Sequence, residues 1–239
     1  MILRLQFTWP FIATGALIAT SPASSMINGS PSGLAGHTVR ILSGAGTAVC
    51  TGVALGPRQV VTARHCYAGS RSISAAGKRI RIASAGASGA GVSVRGDAIV
   101  LTLAENLPPE ITPLSVGAGD GPFIAAGYGT SVEAHRNLGA SLQEATLVTA
   151  RGNTLVDPNR NGSISASACY GDSGGPVVRR GPTGYVLVGI ITRASHPSPK
   201  LVCGHLTHYA PLHGPGQVMA AAEEPARPRR TRRYRQVRR

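Results

Sequence analysis

Short runs of apolar and β-branched residues recur along the whole chain, and turn residues separate them. Gly and Pro together occupy 48 of the 239 positions, 31 and 17 respectively, about a fifth of the chain against roughly an eighth on average. Short runs at this close spacing predict an all-β fold, an antiparallel barrel or a sandwich. The predicted strands cover residues 38–42, 49–55, 59–62, 79–83, 98–103, 123–126, 143–149, 176–178 and 185–192.

The segment 105–122 is the predicted linker, because it contains four prolines and three glycines and no hydrophobic period. It divides the chain into halves of about 80 and 90 residues, each large enough for one small barrel. We therefore predict two domains, 26–110 and 111–216, followed by a short helix at 217–224.

The first 25 residues predict a secretory signal peptide. Arg4 precedes an apolar stretch, small residues follow it, and the predicted cleavage site lies between Ser25 and Met26. An uncleaved membrane anchor is the alternative, but the apolar stretch contains Pro10 and is shorter than the roughly 20 residues that a spanning helix needs. The sequence therefore predicts a secreted protein, extracellular or periplasmic, with no membrane span in the mature chain.

The chain has four cysteines. In an exported chain an even number predicts disulfides, and four cysteines allow three pairings. Cys203, His205 and His208 form an alternative metal-binding cluster, but it lacks the second cysteine, two to four residues away, that is typical of structural zinc sites. We therefore predict two disulfides and no metal.

The net charge of +14 is concentrated at the C-terminus. Eight of the 24 Lys and Arg residues lie in 227–239, whereas 26–222 has 15 basic and 8 acidic residues, a difference of +7. Segment 225–239 has little apolar content, so we predict a disordered tail. Its arginines suit contacts with polyanions such as nucleic acid, acidic polysaccharide or anionic lipid, and a solvated tail without a partner is the alternative.

The hexapeptide Gly-Asp-Ser-Gly-Gly-Pro at 171–176 is the most informative motif. Glycines around Ser173 let the backbone turn sharply and expose N–H groups, as a nucleophile beside an oxyanion site requires. An ordinary turn is the alternative, and the motif also fits the G-x-S-x-G elbow of α/β-hydrolases. That elbow needs an acid and then a histidine after the serine, but the only later acids, Glu223 and Glu224, follow the last histidine, His213.

A histidine and an aspartate precede this serine, each at the end of a predicted strand. His65 lies near the end of the apolar run 60–66, and Asp97 opens the run 97–101. The chain order His65, Asp97, Ser173 is the order found in chymotrypsin-type peptidases.

On these motifs the sequence resembles the trypsin-like (chymotrypsin-fold) serine peptidases, in particular secreted members of the bacterial type. Residues 62–66 (TARHC) are similar to the family's TAAHC, 97–101 (DAIVL) to its DIALL, and 171–176 are identical to GDSGGP. Weaker matches lie at 26–29, 127–129 and 188–190. The resemblance covers most of residues 26–213. It implies two six-stranded antiparallel β-barrels with the active site in the cleft between them, a short C-terminal helix, a polypeptide substrate, no cofactor and a monomer.

The resemblance assigns a role to each catalytic candidate. Ser173 is the nucleophile, His65 is the general base, and Asp97 orients the imidazole. The N–H groups of Gly171 and Ser173 form the oxyanion hole. The implied disulfides are Cys50–Cys66 and Cys169–Cys203.

Family members of this type bury a free N-terminal ammonium against the acid before the serine, which implies a pair between Met26 and Asp172. No Lys or Arg directly precedes Met26, so we expect signal cleavage itself to free the ammonium without a separate zymogen step. An ammonium with an ordinary pKa near ~8 makes activity fall on the alkaline side.

The substrate pocket is assigned by the same resemblance. The residue at its base is Ser167, which is uncharged, so a preference for Arg or Lys is not supported. Ala194 and Thr207 match wall positions that are glycine in open pockets and narrow the site. Thr192 and Arg193 lie on the substrate strand, and Arg193, where the family usually has tryptophan, favours acidic groups. We predict cleavage after small or apolar residues.

Arg64 is the other departure from the family, because it replaces a small residue beside His65. A cation there disfavours imidazolium and weakens the general base, unless the side chain points outward. The predicted function is a secreted serine endopeptidase. The alternative, motivated by Arg64 and Arg193, is a weak or inactive trypsin-like scaffold that binds partners and carries a polyanion-binding tail.

Overall fold

The computed structural model describes residues 25–134, 138–160, 162 and 164–214. In these residues the chain forms sixteen strands, a 3₁₀ helix at Gly33–His37 and one four-residue α-helix, α1, at Arg64–Tyr67. The predicted all-β class is confirmed. The predicted helix at 217–224, the tail at 225–239 and the whole signal peptide except Ser25 lie outside the described residues.

All nine predicted runs lie within strands of the structure. In chain order the strands are β1 (Ser30–Pro31), β2 (Thr38–Ser43), β3 (Ala48–Gly56), β4 (Gln59–Ala63), β5 (Ser70–Ala75), β6 (Lys78–Gly86), β7 (Ser88–Gly89), β8 (Val92–Ser93), β9 (Ala98–Leu103), β10 (Ser115–Val116), β11 (Phe123–Gly127), β12 (Gln143–Arg151), β13 (Thr154–Val156), β14 (Pro176–Gly181), β15 (Gly184–Ser195) and β16 (Leu206–Pro211). The sequence did not predict β5, β13 and β16, nor the two-residue strands β1, β7, β8 and β10. In β5 three serines surround a single isoleucine, so its strand conformation depends on the ladders to β2 and β6 on either side.

Six antiparallel strands close the first barrel in the order β2-β3-β4-β9-β6-β5. Alternate residues along a strand point to the same face, and apolar residues on the inner face fill the barrel. Its fully buried side chains include Ile41, Val53, Ile73 and Leu101. Strand β4 pairs with β9 up to Ala63 opposite Ala98. This register brings the residues that follow β4 next to those that precede β9.

Six further strands close the second barrel in the order β12-β11-β14-β15-β16-β13, and β13 pairs back to β12. β1 extends β12, and β10 runs parallel to β15. The core of the second barrel contains Met26, Phe123, Leu147, Leu155, Val177 and Ile191. The prediction of two six-stranded antiparallel barrels is confirmed.

The two barrels share one apolar core cluster. Val61 of the first barrel belongs to the same buried cluster as Ile124 and Ile190 of the second, and β4 contacts β15 directly. The predicted linker also contributes to this cluster through Leu107, Ile111 and Leu114. It is therefore a packed connection, and the domain boundary between residues 110 and 111 stays a prediction. In the described part of the chain, neither helix has the length and apolar character that a bilayer span requires.

Candidate active site

The loop between β13 and β14 presents Ser173 between two glycines in left-handed backbone conformations. Gly171 has φ +91° and Gly174 has φ +82°, a region that residues with a Cβ rarely adopt. A Cβ on Gly174 would also collide with atoms of the first barrel. Gly175 N–H donates to Asp172 O at 2.9 Å and closes the turn around the serine. The turn and the close approach of the two barrels therefore both require glycine.

His65 and Asp97 meet because β4 and β9 are neighbours. His65 lies in α1, just after β4, and Asp97 directly precedes β9. His65 Nδ1 lies 2.7 Å from Asp97 Oδ2, and His65 N–H donates to Asp97 Oδ1 at 3.1 Å. The carboxylate contacts both the ring and the main chain of the histidine, so it fixes the ring orientation. The two side chains are 50% and 39% exposed, so solvent reaches this pair.

The three side chains line one cleft between the barrels, with a volume of about 640 Å³. Ser173 Oγ donates to Thr192 O at 3.3 Å, and within the described residues no hydrogen bond joins it to His65. Catalytic hydrogen bonds are often formed only when substrate is bound, and rotation of the serine side chain redirects Oγ. The structure thus brings together the three residues that the sequence singled out, with the pair His65–Asp97 already formed.

Two disulfides brace the cleft. Cys50–Cys66 joins β3 to α1 at the residue after His65, and Cys169–Cys203 joins the serine loop to the segment before β16. This pairing is the one that the resemblance implies. Each disulfide therefore ties a segment that contributes residues to the cleft to a second segment of the chain.

The alternative metal cluster around Cys203 does not form, because this cysteine is disulfide-bonded. Within the described residues the one group of metal-ligand type consists of Cys50, His65 and Cys66. The two sulfur atoms in this group are bonded to each other and are not thiolates, which metal binding by cysteine requires.

Arg64 holds the backbone around Asp97. Its Nε and Nη2 donate to Gly96 O at 3.3 Å and to Ala98 O at 3.1 Å, and its main-chain N–H donates to Asp97 O at 3.2 Å. The guanidinium is thus directed toward these carbonyls and not toward the His65 ring. Of the two orientations that the sequence left open for Arg64, the geometry supports the one in which the side chain points away from the His65 ring.

The N–H groups of Gly171 and Ser173 are free to bind an oxygen of a ligand, since neither donates a hydrogen bond within the described residues. Their carbonyl groups are held instead by Thr51. Thr51 Oγ1 donates to Gly171 O at 3.0 Å, and Thr51 N–H donates to Ser173 O at 2.9 Å. Thr51 was not predicted as a site residue, because nothing in the sequence indicates that this strand residue meets the serine loop.

The chain as a whole matches one known family. The family model described as Trypsin matches residues 27–212. The chain belongs to the trypsin family. Among solved structures it is similar to neuropsin, a serine protease expressed in the limbic system of mouse brain, with a TM-score of 0.58 and 19% identity over 78% of this chain and 94% of that one. At this identity the likeness shows the fold alone. No curated protein matches the chain.

The cleft of this trypsin-family chain is walled on one side by β15. Thr192, Arg193 and Ala194 line it, as does Val202. Arg193 is exposed and pairs in the ladder with His208. Burial and then the charge of Arg193 lower the pKa of His208. Arg193 thus places a cation on the cleft wall.

Ser167 and Thr207 are not among the residues that line the cleft. Both are fully buried. The Ser167 hydroxyl donates to Ala168 O at 3.0 Å and accepts from Gly204 N–H at 2.7 Å, and the Thr207 hydroxyl accepts from Ala168 N–H at 2.9 Å. The two hydroxyls therefore form hydrogen bonds to the backbone, in a layer behind the residues that line the cleft. An ungapped count along the sequence cannot reveal this position.

Asp172, the acid before the nucleophile, is completely buried. Its Oδ1 accepts from Gly129 N–H and its Oδ2 from Cys169 N–H, both at 2.8 Å. Burial raises the pKa of Asp172 to about 7, although these two hydrogen bonds oppose the rise. Within the described residues no cation pairs with this carboxylate.

Met26 is also completely buried, in the core of the second barrel, and here it is still joined to Ser25. The next residue, Ile27, forms a two-way backbone bridge with Ser167, at 3.0 and 3.3 Å. Among the described hydrogen bonds and ion pairs none joins Met26 to Asp172. The structure thus inserts the segment at Met26 into the same barrel as the buried acid without forming the expected pair.

Proposed function

We propose that the chain is a secreted serine endopeptidase that hydrolyses peptide bonds through Ser173, His65 and Asp97. The observation that carries this proposal is the shared cleft, in which the histidine and aspartate are paired at 2.7 Å and the serine lies beside two free N–H groups. Membership of the trypsin family supports a peptidase, and the two disulfides support an oxidising compartment outside the cytosol. Secretion through residues 1–25 and a bacterial-type origin are part of the proposal.

In the proposed mechanism Ser173 Oγ attacks the carbonyl carbon of the scissile peptide while His65 Nε2 takes the hydroxyl proton. Asp97 keeps the other proton on Nδ1 and stabilises the imidazolium. The N–H groups of Gly171 and Ser173 bind the oxyanion of the tetrahedral intermediate. Its collapse breaks the C–N bond, and His65 returns the proton to the leaving amine. Water then repeats the sequence on the acyl-enzyme and releases the acid product.

The alternative is a weak or inactive trypsin-like scaffold, and Arg64 and Arg193 are the residues that motivate it. The direction of the Arg64 guanidinium toward two backbone carbonyls removes the argument from Arg64. The two functions separate in one experiment on the secreted protein. An endopeptidase labels with a fluorophosphonate and cleaves succinyl-Ala-Ala-Pro-X chromogenic peptides, and N-terminal sequencing of the labelled species reads its first residue. A scaffold does neither.

We expect a peptide library to report small or apolar residues before the scissile bond, and acidic residues at the subsite beside Arg193. Ala194 lines the cleft, and Asp97 is the one acid among the described residues of the cleft wall. The variant Ala194→Gly should raise the relative kcat/KM for large apolar residues about tenfold, since one methylene in a pocket has effects of this size. A wild-type profile dominated by arginine, or an unchanged profile in the variant, would contradict the pocket assignment.

The arginine-rich tail is proposed to contact polyanions. Deleting 225–239 removes eight arginines, so the protein should elute from heparin at lower salt and with a shallower salt dependence. The control is the double variant Arg79→Ser/Arg81→Ser, which removes two exposed charges from β6 and should shift elution less. Unchanged retention after the deletion, or a larger shift in the control, would dismiss a role for the tail.

A further inference from the structure

Thr51 connects the first barrel to the serine loop of the second. It is completely buried on β3, directly after Cys50. Its main-chain N–H donates to Ser173 O at 2.9 Å. Its hydroxyl donates to Gly171 O at 3.0 Å and accepts from Tyr128 N–H at 3.0 Å. One residue thus bonds the carbonyl groups of both residues whose N–H groups are proposed to bind the oxyanion.

The two bonds have different origins. Any residue other than proline at position 51 supplies the N–H that reaches Ser173 O, but only a hydroxyl side chain supplies the bond to Gly171 O. Gly171 has φ +91° and no Cβ, so its own backbone preferences restrict it little. The turn bond from Asp172 N–H to Cys169 O is long, at 3.2 Å. The Thr51 hydroxyl therefore supplies the shorter of the two described hydrogen bonds that hold the Gly171–Asp172 peptide.

Thr51 is itself held firmly. Its carbonyl accepts from Thr62 Oγ1 on β4 at 2.7 Å, and its hydroxyl is used both as donor and as acceptor. The bond from Tyr128 N–H comes from the segment at the end of β11, whose next residue, Gly129, donates to the buried Asp172 carboxylate at 2.8 Å. The hydroxyl thus lies between the two backbone segments that shape the loop around Ser173.

We propose that Thr51 is a positioning residue for the oxyanion-binding N–H groups, and that its hydroxyl fixes the Gly171–Asp172 peptide, which lies between the two peptide groups that carry these N–H groups. This inference rests on the proposed endopeptidase function. Oxyanion stabilisation depends on donors held at the correct place before the reaction, and a displacement of about 1 Å costs on the order of 100-fold in rate. The first barrel then contributes to the oxyanion site as well as supplying His65 and Asp97.

The test compares Thr51→Val, which has nearly the same shape and no hydroxyl, with Thr51→Ser, which keeps the hydroxyl. We expect kcat of Thr51→Val to fall about 10- to 100-fold, with KM nearly unchanged. Its affinity for a peptide boronate, whose adduct with Ser173 places an oxygen in the oxyanion site, should fall in parallel. Affinity for a non-covalent product peptide should not change. Thr51→Ser should recover kcat to within about threefold of wild type.

The matched control is Thr38→Val on the neighbouring strand β2. Its hydroxyl is buried and bonds Ala35 O and the Tyr128 hydroxyl at 3.4 and 3.3 Å, away from the serine loop. This variant should lose stability with kcat per titrated active site unchanged. Normal kcat in Thr51→Val, or a loss that Thr51→Ser does not recover, would overturn the inference.

Two further outcomes can be distinguished from a failure of the inference itself: an inactive wild type, and a variant that does not fold. If wild type neither cleaves nor labels, the proposed function fails, and amide exchange of residues 169–174 then tests the positioning by itself. Faster exchange in Thr51→Val than in wild type supports it, and equal exchange overturns it. If Thr51→Val does not fold, Thr51→Ala takes its place. If neither folds while Thr51→Ser does, the hydroxyl acts only on stability and the inference is overturned.

Discussion

Replacement of Ser173 with alanine should abolish peptide hydrolysis, with kcat falling on the order of 10⁶-fold, the loss expected when a triad nucleophile is removed. The physical reason is that the proposed acyl-enzyme forms on Ser173 Oγ, so both chemical steps disappear when this oxygen is removed. Fluorophosphonate labelling should disappear as well. The fold should survive, because the Ser173 hydroxyl has a single long hydrogen bond, to Thr192 O at 3.3 Å, and such a bond contributes about 1 kcal/mol.

The matched control for this substitution is Ser72→Ala on β5, outside the cleft, which should label and cleave as wild type does. His65→Ala should cost about as much as Ser173→Ala, and the double variant little more, because the two groups act as a unit. Asp97→Asn should cost about 10⁴-fold through the wrong imidazole tautomer. Labelling that persists in Ser173→Ala would remove this serine from the mechanism.

A chain in which Met26 is still joined to the residues before it should become less stable as the pH rises from about 4 to 7. Asp172 has an ordinary pKa near ~3.9 when unfolded, and its pKa is about 7 in this structure. In that interval the folded state binds more protons than the unfolded state, so the free energy of unfolding falls with pH. Asp172 by itself contributes a loss on the order of 4 kcal/mol over this interval, at 1.36 kcal/mol per pKa unit, and its contribution is level above pH ~7.

A chain that begins at Met26 should behave differently, because its ammonium is expected to pair with the Asp172 carboxylate and to favour the ionised form. Its stability should hold through neutral pH and should decline, together with activity, only when the ammonium loses its proton above pH ~8. Urea unfolding of both forms between pH 4 and 9, in the Ser173→Ala background, measures the difference.

Asp172→Asn in the unprocessed form is the control. The asparagine has one oxygen for the two N–H donors that reach this site, so the variant should be less stable, and it should lack the fall in stability with pH that Asp172 contributes. Equal pH profiles for the two N-terminal forms would refute the pairing of Met26 with Asp172.

The sequence predicted the strands whose apolar residues alternate or run continuously, and it missed those that depend on their neighbours. The runs at 59–62 and 98–103 contain mainly Val, Ile and Leu, so they read as strands without any tertiary information. In β16 (Leu206–Pro211) a histidine, a proline and a tyrosine interrupt the apolar pattern. Its strand conformation comes from ladders to β13 and β15, which sequence periodicity does not contain.

The residues of the candidate site fall into the same two groups, those that the sequence predicted and those that it missed. His65, Asp97 and Ser173 lie in local motifs, so their positions were readable, and the pairing of β4 with β9 explains why two of them meet. Thr51 and the layer formed by Ser167 and Thr207 have no local motif. The long-range contacts that place them at the site include hydrogen bonds between residues 37 to 122 positions apart, and only the closed barrels bring them together.

The apolar cluster that both barrels share has a consequence for how the cleft can move. Separating the barrels would expose to water the side chains of Val61, Ile124 and Ile190 that now pack in one core, at a cost of roughly 25 cal/mol for each Å² uncovered. Separation of the two barrels is therefore costly, and a substrate of the proposed peptidase must fit the cleft as the two barrels form it. If the chain is the proposed endopeptidase, we expect the residues flanking the scissile bond to come from an extended stretch of the target polypeptide.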